Sequence, residues 1–255
     1  MRVLVIAPHN DDETLGVGGA MAMYARKGHE VYVCEATSGP DQGMADKIKA
    51  EALKAHAILG VKETIFLDLP VVALGDMAAA ELNEAVARAV SRIRPEIAFI
   101  PHRGDLHGDH KETAGAAMVA LRPIEQPQLK ALYAYETLSE TEWNTPSADN
   151  AFLPNHWIAL GEEDLKKKLE AFCCYQTQVR PFPHPRSPEA VTALARLRGS
   201  TVGECAAESF MVLRQVERGQ GGCLRQAGRD WKKLQVMCAG EAMGKKRPEQ
   251  HGGKA

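Results

Sequence analysis

The chain has 255 residues, 45% hydrophobic and 25% charged, which is enough apolar material for one sizeable α/β domain and excludes a disordered chain. A formal net charge of −2 gives no general attraction to nucleic acid or to an anionic membrane surface. The average hides an asymmetry: residues 219–255 hold eight Lys/Arg against three Asp/Glu, so residues 1–218 are acidic and the tail is basic.

Cys34, Cys173, Cys174, Cys205, Cys223 and Cys238 form no Cys-x-x-Cys pair, which reads as reduced thiols in a cytoplasmic protein. The start of the sequence is apolar for too few residues to be a signal peptide, and no run approaches the length of a membrane span.

In chain order, the sequence predicts strands over 2–7, 30–36, 64–67, 96–100 and 129–135, all short, apolar and rich in β-branched residues. Helical periodicity fills the intervals at 14–27, 44–59, 78–93 and 109–121. This β-α-β-α rhythm predicts a Rossmann-like, doubly wound, mostly parallel sheet with helices on both faces, in a single domain over 1–218. Beyond it come a polar loop at 137–155, a strand at 156–160, a helix at 162–175 and a proline-punctuated loop at 181–188. Helices are expected again at 189–198 and 204–214. Residues 219–255 read as a mobile, loosely docked tail with a short helix near 231–237.

Directly after the first strand stands His9-Asn10-Asp11-Asp12-Glu13. Strand ends in an open α/β sheet border the crevice where ligands bind. Three adjacent carboxylates repel one another there, and if buried they need a cation or protons to compensate. His9 and Asp12, three apart at the entry to a helix, can face one ion, with Asp11 beside it. An acidic helix N-terminus would explain one or two of the carboxylates by the macrodipole, but not His9 or the strand-end position.

The overlapping Gly16-Val17-Gly18-Gly19 is a poor dinucleotide turn, because Met21 stands where the last glycine of G-x-G-x-x-G belongs. These glycines are read instead as close packing of the first helix on the sheet.

After the fourth strand, His102, His107 and His110 with Asp105 and Asp109 fall within ten residues. In a sheet of order 3-2-1-4-5, the first and fourth strands are neighbours, so both clusters converge at the switch point. Two histidines and one carboxylate leave coordination positions open, as in a catalytic zinc site; Fe²⁺ or another divalent ion suits the same set. Asp11 can take a proton from water acidified by the ion. His107, as imidazolium, can stabilise an oxyanion and protonate a leaving group. Asp109 can orient a histidine.

At Pro8-His9-Asn10-Asp11-Asp12-Glu13 and His107-Gly108-Asp109-His110 the sequence resembles the LmbE-like (PIG-L) family of zinc-dependent N-acetylglucosaminyl deacetylases. Asn10 and Gly108 replace the prolines usual in those motifs. The resemblance runs to about residue 215 and includes Tyr175-Gln176-Thr177-Gln178 and Pro183-His184-Pro185-Arg186-Ser187. It implies Zn²⁺ on His9, Asp12 and His110, Asp11 as base, and His107 as charged partner of the transition state. It also implies a small-molecule substrate, an N-acetylated sugar or glycoconjugate, with Ser38, Arg103 and Asp105 lining its pocket. Trp143, Tyr175, His184 and Arg186 carry little weight alone. A nucleotide-binding oxidoreductase and a non-catalytic sugar-binding relative are the rival readings, and the sequence leaves a homo-oligomer open.

Overall fold

Alternation within the first strand decides the layering. In β1 (Arg2–Ala7), Val3 and Val5 pack into one apolar cluster while Leu4 and Ile6 pack into another, as a strand buried on both faces requires. The same division holds in β2 (Glu30–Thr37) and β4 (Ile97–Pro101): Val31, Val33 and Phe99 face one way, Tyr32, Cys34 and Ile100 the other. The computed structural model describes residues 1–218, and within it Met1–Val216 form one unit. The expected tail at 219–255 and its short helix lie outside the described residues.

The element order is β1, α1 (Asp12–Arg26), β2, α2 (Gln42–Leu59), β3 (Val61–Leu69), α3 (Ala79–Ile93), β4, α4 (Gly108–Ala120), β5 (Ala131–Tyr135), β6 (His156–Ala159), α5 (Glu162–Phe172), α6 (Pro188–Ser200) and β7 (Ala207–Gln215). Helices cover both faces of a seven-stranded sheet of order β3-β2-β1-β4-β5-β7-β6. The first five strands are parallel in the expected 3-2-1-4-5 order, and β7 and β6 extend the sheet antiparallel.

One element differs in kind from the expectation. Residues 204–214, expected as a helix, form strand β7 between β5 and β6. Phe210 and Val212 alternate into the core from that strand, so the period that decides it is two rather than 3.6.

Gly16 and Gly19 serve packing, as the sequence suggests. A Cβ on Gly16 would fall 2.2 Å from the Tyr135 ring, and one on Gly19 would fall 2.4 Å from Leu160. Helix α1 is thereby pressed onto the sheet, and a buried ion pair fastens it. Lys168 Nζ donates to Glu208 at 2.6 Å and to the Leu15 carbonyl at 2.7 Å. Glu208 also accepts the Gly19 and Ala20 amides at 2.9 and 2.8 Å. Residues 15 and 19 are the acceptor and donor of one α-helical rung, so the pair grips the helix at that rung. Removing one member of such a pair strands the other charge in the interior. Lys168→Met is therefore expected to cost about 3–5 kcal/mol, read from urea unfolding; a loss under about 1 kcal/mol would contradict the assignment.

Candidate metal centre

β1 and β4 are neighbours, and the loops leaving their carboxyl ends meet over the sheet. The β1 end is fixed first. Tyr135 Oη donates to the Ile6 carbonyl at 3.0 Å, and the Thr37 amide and hydroxyl both donate to the Pro8 carbonyl, at 3.0 and 2.8 Å. The chain then turns sharply into α1. Asp11, the residue capping α1, has φ +152° and ψ −22°, a conformation side-chain-bearing residues seldom adopt and one that clusters at functional sites. Glu13 holds it there by accepting the Asp11 amide at 3.1 Å.

This turn brings His9 Nδ1 to 3.2 Å from Asp12 Oδ2, and the β4 loop brings His110 Nε2 to 3.1 Å from the same oxygen. The His9 and His110 rings lie 5.3 Å apart, centre to centre, although the residues are far apart in sequence. Asp12 and His110 are wholly buried. Asp12 Oδ1 and Asp11 Oδ2 are buried without a hydrogen-bond partner, which is costly unless something else meets them. An ion in tetrahedral coordination with bonds of about 2.0–2.1 Å holds its ligand atoms about 3.3–3.4 Å apart, close to the spacings seen here. The residues fit a divalent cation.

His9, His107 and Asp109 form a second possible donor set. It is the weaker one, because Asp109 is already engaged: Oδ2 accepts the Val72 amide at 2.7 Å, and Oδ1 the Leu74 amide at 3.2 Å. Asp109 Oδ2 also faces His9 Nε2 at 3.3 Å. The histidine that Asp109 meets at this distance, left open by the sequence, is His9.

Charge balance dominates the electrostatics. Burial pushes His9 and His110 down, but the carboxylates beside them win: Asp109 and Asp12 lift His9 to about 9, and Asp12 and Asp105 lift His110 to about 10. Asp12 is held well below its usual range, its burial outweighed by His110 and His9. Asp11 goes the other way. Burial carries it up to about 7, with Asp12 and Glu13 adding to the rise against the pull of Arg186.

The remaining residues singled out in the sequence divide clearly. Ser38 lines a cavity of about 420 Å³ in front of the centre, together with His9, Asp11, His107, Thr177 and Arg186. Arg103 is exposed and lines no part of this cavity. Asp105 is buried and also outside it: its Oδ2 lies 2.8 Å from His110 Nδ1, and its Oδ1 accepts from the Thr141 hydroxyl at 2.6 Å. His107 caps α4, its Nδ1 accepting the Asp109 amide at 3.1 Å. That contact selects the neutral tautomer with the proton on Nε2, and burial together with charged His9 lowers its pKa. In this contact the ring offers a neutral Nε2–H, where the sequence reading has an imidazolium.

Several residues gain a place that the sequence did not give them. Arg186 is anchored by Ser139 and Gln178, each at 2.9 Å, and reaches Asp11 at 3.7 Å and Glu140 at 3.5 Å. The Pro183-to-Ser187 segment was its only signal. Behind Asp12, Glu13 Oε1 accepts from the Tyr175 hydroxyl at 2.5 Å and the Thr14 hydroxyl at 2.6 Å, and meets His56 Nε2 at 3.3 Å. Buried Glu35 lies 3.4 Å from the same His56 nitrogen. These contacts join β2, α2 and the end of α5, which no local pattern relates.

Fold and site together define a Rossmann-like α/β protein with a candidate mononuclear metal centre at the switch point. The family description "PIG-L: GlcNAc-PI de-N-acetylase" matches residues 4–121. The uncharacterized deacetylase YaiS of Escherichia coli (strain K12) is 30% identical over 179 residues, spanning 66% of this chain and 87% of YaiS. The probable N-acetyl-alpha-D-glucosaminyl L-malate deacetylase 2 of Bacillus anthracis is 27% identical, over 69% of this chain and 81% of its own length. The crystal structure of the conserved protein TT1542 from Thermus thermophilus superposes with a TM-score of 0.69 at 26% identity, covering 87% of this chain and 98% of that one. The chain belongs to the PIG-L (LmbE-like) deacetylase family.

Asp105 supplies a test of the centre that leaves the proposed ligands intact. A carboxylate behind a ligating imidazole fixes its tautomer and raises its basicity. Asp105→Asn is expected to weaken Zn²⁺ binding about 10–100-fold in a chelator competition titration, with the far-ultraviolet spectrum unchanged. Unaltered affinity would show that Asp105 does not support a ligand.

Proposed function

We propose that this chain is a metal-dependent N-deacetylase that hydrolyses the acetamide of an N-acetylglucosamine-type sugar or conjugate to the free amine and acetate. One observation carries the reading. Buried Asp11 Oδ2, which makes no hydrogen bond and has Arg186 3.7 Å away, stands beside the convergent His9, Asp12 and His110 at a cavity of about 420 Å³. The deacetylase names of YaiS and of the Bacillus anthracis relative agree with it, the latter specifying an N-acetylglucosaminyl compound.

In this reading His9, Asp12 and His110 hold Zn²⁺, whose borderline character suits mixed nitrogen and oxygen donors; Fe²⁺ suits the same set. When bound, the ion supplies Lewis acidity, polarising a carbonyl and acidifying water. The chain's own groups do the rest. Asp11 Oδ2 takes the proton from the attacking water as general base. Asp11 then returns that proton to the departing amine nitrogen. His107 Nε2–H donates a hydrogen bond to the oxygen on which negative charge develops. Arg186 holds Asp11 in place and limits its rise in pKa. Asp109 and Asp105 orient His9 and His110.

A nucleotide-binding role has no support: the glycines of α1 are filled by Tyr135 and Leu160. A non-catalytic relative would have no use for a strained, buried carboxylate beside the ligands. The cytoplasmic location rests on the cysteines; among the described residues no helix is long and apolar enough to cross a membrane.

Asp11→Asn is the direct test. It is expected to lower acetate release from N-acetylglucosaminides by about 10²–10⁴-fold, while metal content stays at the wild-type level. Full activity in this variant would remove the proposed base.

A further inference from the structure

Asn10 stands between a proposed ligand, His9, and the proposed base, Asp11, and all three line the cavity of about 420 Å³. The residue is 4% exposed, and its side-chain nitrogen Nδ2 is buried without a hydrogen-bond partner. A buried donor left unmet costs the fold stability, so an asparagine at this place calls for a reason.

Two structural reasons do not apply. Asparagine is frequent where the backbone enters the left-handed region, but the residue of positive φ in this turn is Asp11 and not Asn10. Asparagine also closes turns and caps helices through its side chain. Here other groups do so: Asp12 accepts the His9 amide at 3.0 Å, Glu13 accepts the Asp11 amide at 3.1 Å, and the residue at the cap of α1 is Asp11. The proline usual at this place in the motif would leave no donor over.

Neighbouring donors of the cavity wall are already committed within the protein. The Thr37 hydroxyl donates to the Pro8 carbonyl at 2.8 Å, that of Ser38 to Asp68 at 2.5 Å, and that of Thr177 to Glu51 at 2.6 Å. Arg186 donates to Ser139 and Gln178. The Asn10 carboxamide remains for a group that enters the cavity.

We propose that Asn10 is a substrate-recognising residue, whose Nδ2 donates a hydrogen bond to an oxygen on a ring carbon beside the one bearing the acetamido group. The proposal rests on the deacetylase reading and names a specificity contact of the same site. Position narrows the acceptor. Asp11 and His107 engage the acetamide itself, so a donor next to Asp11 in the same turn meets the atoms beside it. In an N-acetylglucosamine unit these are the hydroxyl on C3 and the oxygen on C1, both able to accept from an N–H group. An analogue lacking the recognised oxygen leaves the amide unmet, and a site built around such a hydrogen bond rejects it.

The test uses the metal-loaded, full-length Asp11→Asn protein, so that binding is read without turnover. Calorimetry compares methyl N-acetylglucosaminide with its 3-deoxy analogue and with the 1,5-anhydro analogue, which lacks the glycosidic oxygen. One of the two analogues is expected to bind at least about fivefold more weakly than the methyl glycoside, and which one does so identifies the oxygen. Adding Asn10→Ala or Asn10→Pro is expected to bring that ratio to within about twofold of one, with zinc content unchanged. Mere damage to the turn would weaken all three compounds together and leave the ratio standing. Equal affinities or no binding before the Asn10 substitutions, a ratio that survives both of them, or loss of zinc from both variants would overturn the contact. Acetate release by the wild-type protein from the methyl glycoside is measured separately. Its absence would sink the deacetylase reading, and its presence with equal affinities would sink the Asn10 contact alone.

Discussion

Burying Asp11, Asp12 and Glu13 side by side at the end of one strand is the constraint from which the rest of the site follows. All three are 0–1% exposed, and adjacent buried carboxylates are tolerable only if each finds positive charge or a full set of donors. The chain meets the three demands with three different sets of partners. Asp12 is given two imidazoles, one from its own turn and one from the loop after β4. Asp11 is given Arg186 and a strained backbone whose amide Glu13 accepts. Glu13 is given the hydroxyls of Thr14 and Tyr175 and the His56 imidazole. Asp11, which lines the cavity, keeps an oxygen that makes no hydrogen bond and has the Arg186 guanidinium 3.7 Å away.

That division explains why the surrounding elements are placed as they are. Helix α1 begins at Asp12, so its N-terminal partial charge lies under the carboxylates. Its glycines let it lie close against Tyr135 and Leu160, and the Lys168–Glu208 pair fixes it. Helix α2 delivers His56, the turn after α5 delivers Tyr175, and the loop before α6 delivers Arg186. The sheet supplies position, and the loops at its carboxyl edge supply chemistry.

What was legible in the sequence was what local patterns encode. The parallel strands β1 to β5 are short apolar runs with helical stretches between them, and the convergence of His9 with His110 follows from strand order once those runs are recognised. Strand β7 runs counter to the helix expected there, and its Glu208 is buried only because Lys168, far away in sequence, pairs with it. Glu140 and His56 were obscure for a different reason. Their roles depend on loops and helices brought together only by the finished fold, and no spacing in the sequence marks them. The contact of the His107 ring with the Asp109 amide was likewise out of reach, because it is a feature of the helix cap and not of the residue pattern. Asp105 was expected in the substrate pocket, and its contact with His110 depends on how the β4 loop closes.

The central claim is that one divalent ion sits on His9, Asp12 and His110, and anomalous diffraction at the zinc edge from crystals grown with Zn²⁺ tests it most directly. The account predicts a single strong peak in this region, about 2.0–2.2 Å from one atom of each of those three residues. A peak on His9, His107 and Asp109, or on Glu13, Glu35 and His56, or no peak at all, would contradict it.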